Sequence, residues 1–287
     1  SYFKRHQGST SCGMNSLLLS SPAKLNLFLT VLNKRPDGFH NIVTVFERID
    51  LKDEIRIKSN SIGRIRIHCS HLHVPKGPKN LVYQVAQKIQ RDLRVKNGVD
   101  ITITKRIPVA AGLAGGSSNA ATVLLGLNRL WRLELSRQQL LSYARQIGSD
   151  VAFFLYDSPW ALGTQKGDHI KILGISTQLW HVLVVPRLKM YSREVYGGLK
   201  LELTNPDDNV NIFLHHLGKN HVSEVGKLLT NDLQEVMIRF SPGLEKIKQR
   251  LKSLNVQGVM ISGSGPAVFG ITSTQKEAQH IKSILSR

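Results

Sequence analysis

Residues 108–122 read PVAAGLAGGSSNAAT. A β-branched segment, Ile101-Thr102-Ile103-Thr104, runs into this stretch, and an apolar run over 120–131 follows it. The order is strand, glycine-rich loop, helix. Gly112, Gly115 and Gly116 allow positive φ and close approach of backbone to a ligand. Ser117 and Ser118 are good N-cap residues, and a helix behind them points its unpaired N–H groups back into the loop. Such a site attracts anions, phosphate above all. The loop lacks the Lys-Ser/Thr ending of a Walker A motif and the spacing of a G-x-G-x-x-G fingerprint. The plain alternative is a flexible loop with a helix cap. Three glycines, two serines and an apolar helix together favour the anion site.

Working outward, 287 residues suffice for one large domain or two smaller ones, and a hydrophobic content of 41% supports a real core. Cys12 and Cys69 are the only cysteines, with no C-x-x-C pair, so a disulfide framework or cysteine-built zinc site is not expected and a reducing cytoplasm fits. The 39 Lys+Arg against 20 Asp+Glu give a net charge of +19. The basic residues are spread along the chain and aromatics are 6%, unlike a single-strand nucleic-acid binder with interleaved aromatics. The charge reads as a field favouring anionic ligands. Residues 1–13 are polar, lack the apolar core of a signal peptide, and read as a natural extension or cloning scar outside the fold.

Along the chain, 17–19 and 25–32 read as strands around Ser21-Pro22-Ala23-Lys24, Pro36-Asp37-Gly38 as a turn, and 42–51, 54–57 and 65–67 as strands. Asn80 caps a helix with Leu81, Val85, Ile89 and Leu93 at helical spacing, and Ser136 caps another reaching about 147. The segment 163–167 reads as a crossing between two halves, 14–163 and 164–287. Beyond it come a strand at 180–185, helices over 192–203 and 210–217, a helix with Pro242 in its first turn, strands at 256–261 and 267–271 around a tight Ser262–Gly265 loop, and a last helix with a Thr274/Glu277 capping box. Strands and helices mix without strict alternation, which favours α+β over a doubly wound parallel sheet.

Four stretches in this order carry a resemblance: 22–27 (PAKLNL), the 108–122 loop, 148–151 (GSDV) and 261–267 (ISGSGPA). Together they resemble the GHMP small-molecule kinases, which include galactokinase, homoserine kinase and mevalonate kinase. The markers Pro36-Asp37-Gly38-Phe39-His40 and GGSSNAAT place the likeness nearest a branch whose acceptor alcohol carries a cytidine diphosphate. The resemblance implies a two-domain α+β GHMP kinase fold with the active site in the cleft between domains, ATP with Mg²⁺ as cofactors, and a small-molecule acceptor; neither membrane nor nucleic acid is expected as a partner.

It further implies that Pro108, Val109, Ala110, Ala111, Gly112, Leu113, Ala114, Gly115, Gly116, Ser117 and Ser118 wrap the ATP phosphates. Asp150 stands at the position of the family's catalytic aspartate and Lys24 at that of its partner lysine. Phosphoryl transfer needs an oriented hydroxyl and charge neutralisation; an aspartate can accept the alcohol proton, and an adjacent lysine stabilises its charged form and orients it. Read from the residues alone, Asp150 is a helix or turn cap; for Lys24 the plain alternative is a solvated surface lysine, which its place between Pro22 and an apolar strand disfavours. Phe39 and His40 are implied to meet the cytosine, with Asn26 near the acceptor and Tyr196 as a second stacking face; a turn with a packed aromatic is the alternative for 39–40. No metal ligand is assigned; loop position alone would suggest Ser118. Three departures from the family pattern stand out: Ala114 and Gln165 where glycine is usual, and Phe39 for a common tyrosine. Other readings are a kinase of another GHMP branch, mevalonate- or homoserine-type, and a basic nucleic-acid-binding protein.

Overall fold

The structure, a computed structural model, describes residues 15–200 and 207–286. Residues 1–13, Cys12 and the end of the 192–203 segment lie outside the described residues. The chain packs into two compact units, each discontinuous in sequence. The first holds the described residues up to Ala23 with Arg48–Val109 and Ala114–Pro159; the second holds Lys24–Glu47, Ala110–Leu113 and the described residues from Trp160 on. A single cut after 163 would leave 24–47 and 110–113 with the N-terminal half, whereas they pack in the second unit. The cause is strand length. The first two strands, β1 (Ser16–Lys34) and β2 (His40–Asn60), run 19 and 21 residues without a break, so each contributes to both units. Pro22 does not interrupt β1, although a missing N–H makes proline a poor central-strand residue.

In the first unit, the end of β2 pairs antiparallel with β4 (Gly98–Thr104), and β3 (Ile65–Cys69) pairs parallel with β4. Alternation sets the buried face: Ile55 lies opposite Ile103, Ile57 opposite Ile101, and Ile67 opposite Ile101 on the other edge. Three helices, α1 (Leu81–Asp92), α2 (Gly115–Leu130) and α3 (Arg137–Ile147), pack on one another. The α1 helix buries Val82, Val85, Ala86 and Ile89, the i, i+3, i+4, i+7 stripe of an amphipathic helix. The α2 helix is buried more widely, and Gly126 sets its close approach to the sheet: a Cβ there would come within 2.6 Å of Ile57 Cδ1 and 2.7 Å of Leu19 Cδ1. The expected caps are in place, with the Asn80 side chain accepting from Val82 N–H and a Ser136/Gln139 capping box on α3. A 3-10 turn, Ser149–Leu155, follows and buries Val151 to Leu155.

In the second unit, β1 turns into β2 at Pro36-Asp37-Gly38, where Gly38 has φ of 84° and the Arg35 N–H donates to the Phe39 carbonyl at 2.8 Å. The start of β2 pairs antiparallel with β5 (Trp160–Thr164), and β5 with β6 (His169–Ile172). The segment 163–167, expected as a crossing between halves, is therefore the end of β5 and its hairpin turn, with Gln165 at φ 58° and Gly167 at 86°. In chain order there follow β7 (Trp180–Val184), α4 (Ser192–Gly197), α5 (Asp207–Gly218), α6 (Val222–Lys227), β8 (Thr230–Asn231), α7 (Gln234–Phe240), α8 (Gly243–Lys252), β9 (Gly258–Ile261), β10 (Val268–Thr272) and α9 (Gln275–Leu285). The short β8 pairs parallel with β1, while β10 pairs antiparallel with both β7 and β9. Pro242 is the N-cap of α8 rather than a residue of its first turn, and Thr274 with Glu277 forms the expected capping box. The core of this unit includes Leu29, Val195, Leu233, Met237, Leu251 and Val268. The chain is an α+β protein. Among the described residues no helix is long and apolar enough to cross a membrane.

Candidate active site

The loop leading into α2 holds left-handed residues at every second position: Ala110 at φ 56°, Gly112 at 80° and Ala114 at 52°. Of the glycines expected to need positive φ, Gly112 does; Gly115 and Gly116 are the first helical residues of α2. Gly115 instead answers to close packing, since a Cβ there would lie 2.9 Å from Ile107 Cγ2 and 3.1 Å from Lys105 Nζ. Gly116 is exposed, with Leu81 Cδ1 4.0 Å from where its Cβ would sit. Ser117 and Ser118 are not the caps. The N-cap is Ala114, whose left-handed backbone starts the helix a turn earlier, and it makes no side-chain cap bond. The first in-helix bond is Ser118 N–H to the Ala114 carbonyl, 2.9 Å. The N–H groups of Gly115, Gly116 and Ser117 precede that bond, in the anion-attracting position at a helix start. A left-handed non-glycine residue costs on the order of 1–3 kcal/mol, the kind of strain found at ligand-binding loops.

A buried polar network braces this helix start within the first unit. Ser118 is fully buried, with its hydroxyl 2.8 Å from that of Ser21. Asn119 Nδ2 donates to Ser21 Oγ at 2.8 Å and to Asp53 Oδ2 at 2.9 Å. Asp53 also accepts the N–H groups of Arg106 (2.7 Å) and Ile107 (2.8 Å) and pairs with the Lys105 ammonium. Both side chains of that pair are buried, 0% exposed for Asp53 and 6% for Lys105. A lone buried charge is costly, so this carboxylate stands on four donors. Asp53, Lys105, Asn119 and Ser21 were not picked out from the sequence. One signal was available: Asp53, Ile55 and Ile57 alternate along a strand, so a carboxylate shares the buried face with two isoleucines.

In the second unit the other half of the loop meets the Ser262–Gly265 turn. The Ala267 N–H donates to the Ala111 carbonyl at 3.1 Å, and Ser262 Oγ donates to the Gly112 carbonyl at 3.2 Å. A Cβ on Gly112 would meet Ser262 O and Gly265 backbone, so the two turns pack backbone to backbone. Asn231 fixes the second turn by donating to the carbonyls of Ile261 and Gly263, both at 2.8 Å. Lys24 is 4% exposed and so is no surface lysine. Its N–H donates to the Leu113 carbonyl at 3.2 Å, and its ammonium donates to Asn26 Oδ1 and lies 5.5 Å from the Phe46 ring centroid. Asn26 is oriented in turn by its Nδ2 donating to Thr44 Oγ1, 2.7 Å, whose hydroxyl donates to the Phe28 carbonyl, 2.7 Å. Alternation along β1 explains the placement: Lys24, Asn26 and Phe28 are two residues apart and share a face.

The 35–40 turn stands in the same unit. Asp37 accepts from the Arg35 guanidinium (3.0–3.1 Å) and from the Phe39 N–H (3.2 Å), and the Arg35 bonds hold its carboxyl below the usual range. Phe39 is 52% exposed. The His40 ring stacks on that of Tyr196 from α4, centroids 5.2 Å apart and planes 24° apart. Burial, with a smaller effect from Lys34, lowers the His40 pKa. Asp150, in the first unit, is the second residue of the 3-10 turn after α3 and is partly exposed, within a segment otherwise buried from Val151 on.

Comparison with known proteins accords with this geometry. The family description "GHMP kinases N terminal domain" matches residues 80–158, and "GHMP kinases C terminal" matches 213–287. The chain is 40% identical over 266 residues to 4-diphosphocytidyl-2-C-methyl-D-erythritol kinase of Bacillus subtilis, covering 92% of this chain and 91% of that one. It is 39% identical to the same-named protein of Shouchella clausii, covering 92% and 88%. A crystal structure of 4-(cytidine 5'-diphospho)-2C-methyl-D-erythritol kinase superposes with a TM-score of 0.80 at 32% identity, covering 94% of this chain and 95% of that one. With both halves of the family pattern matched and relatives of this identity spanning nearly its whole length, the chain belongs to the GHMP kinase family, among the 4-diphosphocytidyl-2-C-methyl-D-erythritol kinases.

Proposed function

We propose that this chain transfers the γ-phosphoryl group of ATP to the 2-hydroxyl of 4-diphosphocytidyl-2-C-methyl-D-erythritol, a cytoplasmic step of non-mevalonate isoprenoid precursor synthesis. The observation that carries the choice of acceptor is the stacked His40–Tyr196 pair beside the half-exposed Phe39, an aromatic platform suited to a nucleobase. The 108–118 segment holds the nucleotide phosphates. The N–H groups of Gly115, Gly116 and Ser117 point to them, and the buried Lys105–Asp53 pair braces the helix start that carries them. Asp150 accepts the acceptor's hydroxyl proton, and Lys24, held by Asn26, neutralises charge on the transferred group. Mg²⁺ bound with the nucleotide would supply further neutralisation on the phosphates. The test is ³¹P NMR of the product after incubation with Mg·ATP. A new phosphomonoester on the 2-carbon supports the proposal, and an unchanged acceptor spectrum beside active ATP turnover on another alcohol refutes it.

A further inference from the structure

Lys166 stands where three observations of the second unit meet. Its ammonium lies 5.0 Å from the centroid of the Phe39 ring, inside the range of cation–π attraction. The residue before it, Gln165, holds a left-handed φ of 58°, a conformation that disfavours any residue with a Cβ. The Gln165 carbonyl accepts the Ile42 N–H at 2.7 Å, two residues beyond His40. The strained turn is thus tied to the strand that begins at His40, directly after Phe39, and the tie delivers Lys166 to the ring.

The ring has need of such a contact. Phe39 is 52% exposed and has no hydroxyl to anchor it. A half-exposed phenyl samples several rotamers, and a stacking platform works best when its orientation is fixed before the ligand arrives. Two carboxylates also stand near Lys166. Asp168 is buried and its carboxylate lies 3.7 Å from the ammonium, beyond hydrogen-bond distance, so the pair offsets the Asp168 charge without fixing where the ammonium points. Asp37 feels the Lys166 charge but is bonded to Arg35.

We propose that Lys166 is a positioning residue for acceptor recognition: its ammonium caps one face of Phe39 and fixes the ring, so that the opposite face is presented to the acceptor's base. The inference rests on the reading that the 36–40 turn receives cytosine. The expected effect is on acceptor binding, not on phosphoryl transfer, because Lys166 acts through Phe39.

The test compares Lys166→Met, which keeps the stem, Lys166→Arg, which keeps the cation, Phe39→Ala, and the Phe39→Ala/Lys166→Met double variant. Lys166→Met should raise KM for the cytidine acceptor about three- to fivefold with kcat nearly unchanged, and Lys166→Arg should restore KM to within about twofold. In the Phe39→Ala background, Lys166→Met should add nothing. NMR of ¹³C-lysine-labelled protein should show the Lys166 ε-methylene shifted upfield by the ring current, a shift lost in Phe39→Leu; this reads the contact without any substrate. No upfield shift overturns the inference. If Phe39→Ala raises KM and Lys166→Met does not, Lys166 is a surface ion-pair residue and the inference fails while the function stands. An equal Lys166→Met effect with and without the ring also overturns it. If Phe39→Ala leaves KM unchanged while the upfield shift persists, the base-reading role of the turn fails and the inference falls with it.

Discussion

The His40 ring lies 5.2 Å from the Tyr196 ring at an interplanar angle of 24°, so the turn after β1 and the short helix α4 share one aromatic surface. Burial lowers the His40 pKa, with Lys34 adding to the effect, which favours the neutral imidazole. The folded value lies below the ordinary one near 6.5, so the unfolded chain binds more protons as pH falls. The contribution to stability is present above that ordinary value and is lost as pH falls through it towards the folded value. Over the same window KM for the acceptor should rise. Acceptor KM and thermal midpoint measured against pH check this: His40→Gln should flatten the dependence, and equal slopes in both proteins would remove His40 from the account.

Asp150→Asn keeps the size of the side chain and removes the proton acceptor. A fall in kcat of at least about 10²-fold is expected, with ATP affinity little changed. Near-normal turnover in a folded variant would take the role of base away from Asp150.

Gly116 separates stability from binding. As a helical, exposed glycine with room at Cβ it costs stability, and alanine there should add roughly 0.5–1 kcal/mol. The same methyl group stands at the helix start proposed to meet the phosphates. Gly116→Ala should therefore raise the thermal midpoint and weaken ATP binding together. Calorimetry that finds nucleotide binding unchanged would move the phosphates off this turn. Gly112→Ala should behave oppositely and destabilise, since φ is 80° and the added Cβ meets Ser262 and Gly265.

Lys105→Met leaves the buried Asp53 carboxylate without its ion partner, a change that costs about 3–5 kcal/mol in comparable sites. Adding Asp53→Asn should recover part of the stability, because the amide oxygen still accepts from Arg106 and Ile107. Lys105→Met should weaken ATP binding, because the pair braces the helix start proposed to meet the phosphates, and the double variant should regain binding along with stability. A double variant that regains stability and not ATP affinity would contradict this bracing role.

Local signals in the sequence carried well where they were local in cause. The Asn80, Ser136 and Thr274 caps, the Gly38 turn and the glycine-rich loop ahead of α2 all stand where residue chemistry put them. The helix start at Ala114 did not follow from the serines, because packing of Gly115 against Ile107 and Lys105 sets where the helix begins. The β5–β6 hairpin was passed over since β6 has a mostly exposed face and Gln165 occupies a left-handed position without being glycine. The make-up of the two units was hidden by β1 and β2, whose lengths exceed what breakers such as Pro22 suggest. In the candidate site, Lys24 and Asn26 were legible as a motif. Asp53 was masked by neighbouring charges, and its function as a brace depends on residues about fifty positions away.

The central claim is that the acceptor is an alcohol carrying cytidine diphosphate. ADP release should be measured at fixed Mg·ATP with 4-diphosphocytidyl-2-C-methyl-D-erythritol, its uridine counterpart, methylerythritol phosphate, mevalonate and homoserine. The account predicts efficient turnover with the cytidine compound and a loss on the order of tenfold or more in kcat/KM with uridine, since a site that pairs one base leaves its polar groups unmet by another at roughly 1–3 kcal/mol each. Equal use of the cytidine and uridine forms, or efficient turnover of mevalonate or homoserine with none of the cytidine compound, would contradict it.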